Sequence, residues 1–498
     1  MIRSILSEFM LVFLCTNLFA QKKYDYNWFL ATSFAPNDST YGMSRIDFLN
    51  QPPLLSKVNN TTIDFWGTNV SWSNFQGNFK YFSNGCAVFN SNLDIMANGD
   101  SITPGFYHDS WCKYGYAVPQ GAVLLPANDD SKQYLFHLRA SEVTNSGYIT
   151  HLYYSKIDLD SMGGLGKVVE KNVPLIIDSM CYGSFTAVKH ANGKDWWLIS
   201  PKNTSNGYFS ILLDEDGPKL NGIQFIGTVQ QPKDFGGQAA FSPDGRYYVR
   251  ANGYSGIEVF EFNRCTGKLY NDKHITPPLP VEAFLGVAIS PNSRFLYISS
   301  GGVLLQYDLE SPDIANSHDT IGIYDGYKSW LPTIFYFMQL GPDGKIYMAT
   351  GNGTNVMHVI NDPDKKGVDC NFTQHSLKLP TYYSFSPPNF PNYRLGPASI
   401  GYCDSLALNT NNEYSHNDKL RIFPNPAISE LSASLSNSMI KNVRIVNTLG
   451  KTVYFAQNYD YSMEVYIELS KIDQGIYFLQ INDSNNSTYR AKFIKSGQ

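Results

Sequence analysis

The chain carries little charge. Asp, Glu, Lys and Arg make up 16% of its 498 residues, the net charge is -5, and no run of Lys or Arg exceeds two residues. Nucleic-acid binding needs clustered cations to displace counterions from phosphates, so that class is excluded. After residue 20 no apolar stretch is long enough to cross a bilayer as a helix. The nine histidines form no HExxH and no spaced set with carboxylates, which removes the main support for a metalloenzyme. There is no GxSxG elbow, no phosphate-binding P-loop and no CxxC pair, so no cofactor or metal is expected. What is abundant is aromatic. Tyr and Phe number 34 and 31, amid many Asn and Ser. That composition favours strands joined by polar turns over helices.

The start of the chain has Arg3, then the apolar stretch Phe9–Ala20, then Gln21-Lys-Lys. It is too short for a membrane span and ends on a small residue, so residues 1–20 are expected to be a secretory signal peptide. Leu14 is too large for the position before a lipid-modified Cys15. Beyond the leader six cysteines remain, an even number that permits disulfides in an exported chain. Short separations favour Cys86–Cys112 and Cys370–Cys403, and leave Cys181 with Cys265.

Between about residues 60 and 400 a pattern repeats without a repeated sequence. Its clearest copies are Ala239-Ala-Phe-Ser-Pro-Asp-Gly-Arg-Tyr-Tyr-Val, Val287-Ala-Ile-Ser-Pro-Asn-Ser-Arg-Phe-Leu-Tyr-Ile and Met338-Gln-Leu-Gly-Pro-Asp-Gly-Lys-Ile-Tyr-Met. Each is an apolar strand, a turn, a cation and a second apolar strand. Pro presets the first corner of the turn, and the later corner needs a residue that tolerates positive φ. Weaker copies stand at Ala187, Leu124 and Ser73. A third and a fourth strand follow each pair, as at Ile257-Glu-Val-Phe-Glu-Phe. Four antiparallel strands per unit, radially repeated, describe a β-propeller, here WD-repeat-like.

Six turns leave a seventh blade to be assembled from the ends. Residues 382–390 are expected to give its inner strand, with Asn27–Thr32 and Ser44–Phe48 as the next two, so that first and last segments close the ring. The expected fold is all-β: a seven-bladed propeller over residues 21–403, a polar linker over 404–418, and a small Ig-like β-sandwich over 419–498.

The phrases Cys370-Asn-Phe-Thr-Gln-His, Ser386-Pro-Pro-Asn-Phe-Pro-Asn-Tyr-Arg and Phe82-Ser-Asn-Gly-Cys resemble a family of secreted bacterial propellers that has no settled activity. The tail reads Leu420-Arg-Ile-Phe-Pro-Asn-Pro-Ala, then Val443-Arg-Ile-Val-Asn-Thr-Leu-Gly, then Gln474-Gly-Ile-Tyr-Phe-Leu, and finally Tyr489-Arg-Ala-Lys-Phe-Ile-Lys. In that order these motifs resemble the type A C-terminal sorting domain of the type IX secretion system of Gram-negative bacteria. The resemblance implies export across the outer membrane, the secretion machinery as a partner, a folded tail that is removed afterwards, and an extracellular or cell-surface location. Its motif residues here are Pro424, Asn425, Pro426, Gly450, Gly475, Tyr477 and Lys492. Pro424 and Pro426 are expected to stiffen an entry turn, and Gly450 and Gly475 to permit turns.

Chemistry is sparse. Asp214-Glu-Asp-Gly and Asp362-Pro-Asp have the spacing of calcium or glycosidase carboxylates, but also of hairpin turns, where Asp caps backbone amides. His358, in an apolar strand, reads as a packed histidine. Trp196 and Trp197 are adjacent strand residues, each expected to fill one side of a blade; the alternative is stacking on a sugar. Tyr382 and Tyr383 carry the same two readings. No residue is nominated as catalytic. The leading expectation is a non-enzymatic secreted or surface propeller that binds a protein or glycan through one end of the ring. The alternatives are a secreted polysaccharide hydrolase or lyase, and a structural part of an adhesion or motility assembly. Acidic or His residues converging on the channel mouth would mark the enzyme, and aromatic and Asn-rich loops there the binder.

Overall fold

The computed structural model describes residues 22–497 except 33–38, 60–62, 128–129, 142–147, 233, 235, 279–284, 399–402, 404–419, 436–438, 449–450, 458–461 and 485–487. The expected signal peptide, the linker and Gly450 lie outside the described residues. The chain forms two compact units, residues 1–403 and 404–498.

The first unit is the seven-bladed propeller, and the Pro-Asp-Gly turns build it. In four blades the last corner of the turn is left-handed: Gly193, Gly245, Ser293 and Gly344 have φ of 74°, 75°, 64° and 80°. The N–H of that residue closes the turn onto the carbonyl three residues back, for example Gly245 onto Ser242 at 2.8 Å. The preceding Asx side chain takes the amide two residues on: Asn192 from Lys194, Asp244 from Arg246, Asn292 from Arg294 and Asp343 from Lys345. This mimics a backbone turn and stiffens the hairpin. Blades 3 to 7 are four-stranded meanders. Their inner strands are Ala122–Pro126, Thr186–Lys189, Gln238–Phe241, Gly286–Ile289 and Met338–Leu340. Blade 2 has three strands, beginning with Val70–Ser73.

Blade 1 departs from expectation in one respect. Asn27–Thr32, Gly42–Asp47 and Leu54–Val58 form a three-stranded sheet, and no fourth strand is paired to it among the described residues. The expected inner strand over 382–390 is corrected: Tyr382 and Tyr383 end the outer strand of blade 7, Phe372–Tyr383, and residues 384–391 lie at the inner place without forming a strand. The Asn69 amide donates to Phe29 O and Ser386 O, the Phe390 ring lies 6.0 Å from Trp28, and the Gln339 side chain bonds both Phe390 N and O. They form no ladder because the segment reads Ser-Phe-Ser-Pro-Pro-Asn-Phe-Pro, and Pro387, Pro388 and Pro391 have no N–H to donate. Side-chain amides do most of the joining, with one main-chain bond from Asn389 N to Asn69 O at 2.9 Å.

The same segment then crosses the axis. The Asn389 amide donates to Ala122 O of blade 3 at 2.9 Å and to Phe185 O, just before the inner strand of blade 4, at 3.0 Å. Asn392 donates to Pro243 O of blade 5. Tyr393 inserts among Tyr24, Trp72 and Trp196 with ring separations of 5.5 to 5.8 Å, and its hydroxyl reaches Leu124 O. Arg394 makes a two-pronged bond to the buried Asp25, at 2.7 and 2.8 Å. The blades are thus tied through the middle as well as around the rim.

The disulfides are Cys86–Cys112 and Cys265–Cys403, with Cys181 and Cys370 free and buried. The expected pairs Cys370–Cys403 and Cys181–Cys265 are therefore corrected. Proximity along the chain misled here, because residues 389–398 leave blade 7 and run across the ring to blade 5, where the Arg264 guanidinium holds Gly396 O at 2.6 Å beside Cys265. The Cys370 thiol is packed in the core between blades 6 and 7.

The second unit is a sandwich of a three-stranded sheet (Leu420–Phe423, Glu430–Leu435, Glu464–Glu468) and a four-stranded sheet (Ile440–Asn447, Thr452–Gln457, Gly475–Asp483, Thr488–Lys495). Alternate residues, among them Leu431, Ala433, Val443, Ile445, Tyr477, Leu479 and Phe493, fill the space between.

Candidate functional site

The two ends of the propeller axis differ in chemistry. At the end where the Pro-Asp-Gly turns sit, a cavity of about 520 Å³ lies between the inner strands of blades 4 to 7 and the axial segment. Its polar lining is chiefly amide: Gln120, Gln238, Gln339, Asn389 and Asn392. Those amides are already engaged. Gln238, for example, accepts from Val287 N and Met338 N and donates to Met338 O. Asp25 is held by Arg394, and Asp244 by its own turn. No histidine lines this cavity.

At the other end the inner strands begin, and the loops that feed them form the mouth. These loops are aromatic. Trp66 stacks on Phe385 with ring centres 5.7 Å apart and planes 13° apart. It also meets Trp111 edge-on at 5.1 Å and Tyr114 at 5.7 Å. Tyr336 extends the row beside Phe385 at 6.4 Å. Trp111 is 36% exposed, and the other rings are half-buried. In the same loops three buried polar atoms have no hydrogen-bond partner: Asn69 Oδ1, Ser184 Oγ and Ser386 Oγ. A buried polar atom without a partner costs about 1–3 kcal/mol, so such a group calls for a water or a ligand.

A second aromatic group stands on the same side. A two-stranded hairpin, Lys328–Ser329 with Leu331–Pro332, carries Trp330 at its tip. Trp330 is 62% exposed, with φ of 65°. A left-handed bulky residue costs on the order of 1–3 kcal/mol and tends to mark a functional position. Its ring lies 6.3 Å from Tyr382, which in turn lies 5.3 Å from Tyr41.

The nominated stacking residues divide accordingly. Trp196, Trp197 and Tyr383 are buried, at 1%, 3% and 1% exposure, and leave no ring face for a ligand. Trp196 faces Tyr393 and the Lys189 ammonium, while Trp197 points to the other side and donates to Arg264 O. Burial at this spot pushes the Lys189 amine down to about 8. The Tyr383 hydroxyl is fixed on Thr350 N and Val356 O, with its ionisation pushed up to about 12 by burial. Of the four, Tyr382 alone is half-exposed. Trp66, Trp111, Tyr114 and Phe385 went unnoticed in the sequence, because only the ring gathers loops so distant along the chain.

The carboxylate pairs serve turns. Asp214 takes the amide of Asp216 and pairs with Lys219. Asp362 takes the Asn371 amide and pairs with Lys365 at 3.7 Å. Among the described residues no group of three His, Cys, Asp or Glu side chains could hold a metal ion. His358 is a packed neutral histidine: Nε2 faces Thr333 O, Nδ1 accepts from His375 N, and burial holds its ionisation down to about 4.

In the sandwich, Asn425 clasps the final strand. Its amide donates to Lys492 O at 3.2 Å, and its carbonyl accepts from Ile494 N at 2.9 Å. Pro424 and Pro426 flank that clasp. Tyr477 is buried against Phe493 and donates to Asp473 O, and Lys492 is exposed. Gly475 is not a turn residue: it opens its strand paired with Lys495, with no left-handed φ.

Residues 421–496 match the family described as the secretion system C-terminal sorting domain. The tail is thus an export address, and the chain is marked for secretion to the cell surface or beyond. No helix among the described residues is long and apolar enough to cross a membrane. No curated protein sequence matches the chain. Solved structures similar to it include the Dos1 propeller, with 11% identity and a TM-score of 0.41, covering 72% of this chain and 83% of that one. A functionally unknown protein from Desulfotomaculum acetoxidans has 11% identity and a TM-score of 0.38, covering 73% and 99%. A gluconolactonase from Xanthomonas campestris has 13% identity and a TM-score of 0.31, covering 66% and 94%. Likenesses this distant carry no argument about activity.

Proposed function

We propose that the propeller is a non-enzymatic binding module that works outside the cell and takes a glycan at the mouth where its inner strands begin. The observation that carries this reading is the row Trp111, Trp66, Phe385 and Tyr336, partly open to solvent and made by loops from four places in the chain. A pyranose ring has an apolar face that suits an aromatic platform. Trp330 with Tyr382 gives a second platform for a longer chain. The test is a glycan screen with the full mature chain, followed by calorimetry. Trp66→Ala and Trp111→Ala should each weaken binding by about 1–3 kcal/mol, the scale of a lost aromatic stacking partner, with the ligand recovered intact. Undiminished binding by both variants, or a shortened glycan, overturns the reading; the second outcome would favour a hydrolase or lyase.

The route of export belongs to the same proposal. Residues 1–20 direct the chain to the periplasm, the tail takes it across the outer membrane through the type IX machinery, and cleavage in residues 404–418 removes the tail. That linker is polar and rich in Asn, Ser and Thr, a composition that favours proteolysis. Deleting residues 419–498 and fractionating the cells tests this. A truncated protein that reaches the surface or medium in normal amounts refutes it.

A further inference from the structure

The four-stranded sheet of the sorting domain has an outer face of unusual make-up. In its strands Tyr477, Leu479, Ile481 and Phe493 point into the core. Their neighbours Ile476, Phe478, Lys492 and Ile494 therefore point outwards. Register places Ile476 beside Ile494, Phe478 beside Lys492, Gln480 beside Arg490, and Arg444 beside both Gln480 and Phe455. Phe455 is 61% exposed, and Ile476, Phe478 and Ile494 are 40%, 37% and 42% exposed. These side chains form one lattice about 15 Å across, from strand and residue spacings. A solvent-facing sheet surface is ordinarily polar, so an apolar lattice here needs a cover.

Charge says what kind of cover. Among the described residues of these four strands, the outer face carries Arg444, Arg490 and Lys492 and no carboxylate; their one acid, Asp483, is buried. The opposite sheet also exposes apolar rings, Phe423 and Tyr466, but differs in charge. Its exposed positions include Glu430, Glu464 and Glu468. A small sandwich with one cationic face and one acidic face has a built-in orientation for docking.

We propose that this outer face docks on a protein of the export machinery, through a partner surface that is apolar at its centre and acidic at its rim. The inference rests on the sorting-domain assignment and adds which surface is read. A folded sheet face can be recognised only after the sandwich forms, which links export to folding. Asn425, which ties the entry turn to Lys492 O and Ile494 N, acts as a positioning residue for that edge.

The test uses the full chain in its own cells. Arg444→Glu, Arg490→Glu and Lys492→Glu combined should leave the sandwich folded, as judged by resistance to limited proteolysis, and cut the exported fraction about tenfold or more, with accumulation in the periplasm. Should that set fail to fold, the neutral set Arg444→Gln, Arg490→Gln and Lys492→Gln carries the test. Phe455→Ser, which changes no charge, should also lower export. Glu464→Lys with Glu468→Lys on the opposite face should not. Export at the wild-type level by the folded cationic-face variants overturns the proposal, as does an equal defect from the opposite face. Vesicles of phosphatidylglycerol provide a separate arm. Binding that the triple variant loses while export persists would make the occupant an anionic lipid surface and overturn the protein partner. Deletion of residues 419–498 distinguishes failure of this face from failure of the address itself.

Discussion

Asn389 should be the residue on which the propeller depends most for its size. It is 6% exposed, at the point where the axial segment crosses the ring. Its amide nitrogen donates to Ala122 O and Phe185 O, and its side-chain oxygen accepts from Gln120 Nε2 at 3.1 Å. Asn389→Ala removes the donor for two buried carbonyls. With each deprived carbonyl costing about 1–3 kcal/mol, a loss of about 2–6 kcal/mol is expected. Asn389→Asp keeps the shape and so isolates polarity. It puts carboxylate oxygens against those carbonyls, and the loss should exceed that of Asn389→Ala by about 1 kcal/mol or more at neutral pH. Burial would raise the folded-state pKa of that new carboxyl above its unfolded value. The extra penalty is therefore present above the raised pKa and fades as the pH falls through it, once the group protonates. Urea unfolding of the mature chain, followed by tryptophan fluorescence, measures this cleanly. All seven tryptophans precede residue 404, so the signal reports the propeller and not the sandwich. An Asn389→Asp protein as stable as wild type at neutral pH would refute the axial-tie argument.

Three further outcomes are expected. Removing the Arg394 side chain by Arg394→Ala should cost about 3–5 kcal/mol in the same assay, since it leaves the Asp25 carboxylate buried and unpaired. Cys265→Ser opens a bond spanning 138 residues and should lower stability by up to about 5 kcal/mol; thiol labelling of the native wild type should find Cys181 and Cys370 unreactive until urea exposes them. Burial holds His137 down to about 3 and His358 to about 4, both below the ordinary histidine value. Unfolding lets them take protons, so their contribution is whole above about pH 6.5 and is lost as the pH falls from there towards 4. His137→Asn should flatten that acid limb of the stability profile.

Much of the fold was legible because its turns are local chemistry. A Pro-Asp-Gly corner needs a left-handed residue at its end and a cap on the amide two residues on, and those demands fall on adjacent residues. The Trp196–Trp197 pair was legible for the same reason, since strand alternation alone sends the two rings to opposite faces. The mixed first blade was half legible. Hydrophobic pattern located its parts, but the three prolines that deny the inner segment a ladder also turn it into an axial tie, which no strand pattern announces.

What the sequence determined by itself was whatever depends on near neighbours: strands, turns and the tail's order of motifs. What only the tertiary structure decided was which distant residues meet. Cys403 reaches Cys265 and not Cys370 because the chain crosses the ring after blade 7. Trp66, Trp111 and Phe385 become one surface because the closed ring brings three far-apart loops to one mouth. The physical reason is common to both. A closed ring sets contacts by angle around an axis, and separation along the chain carries little information about that angle.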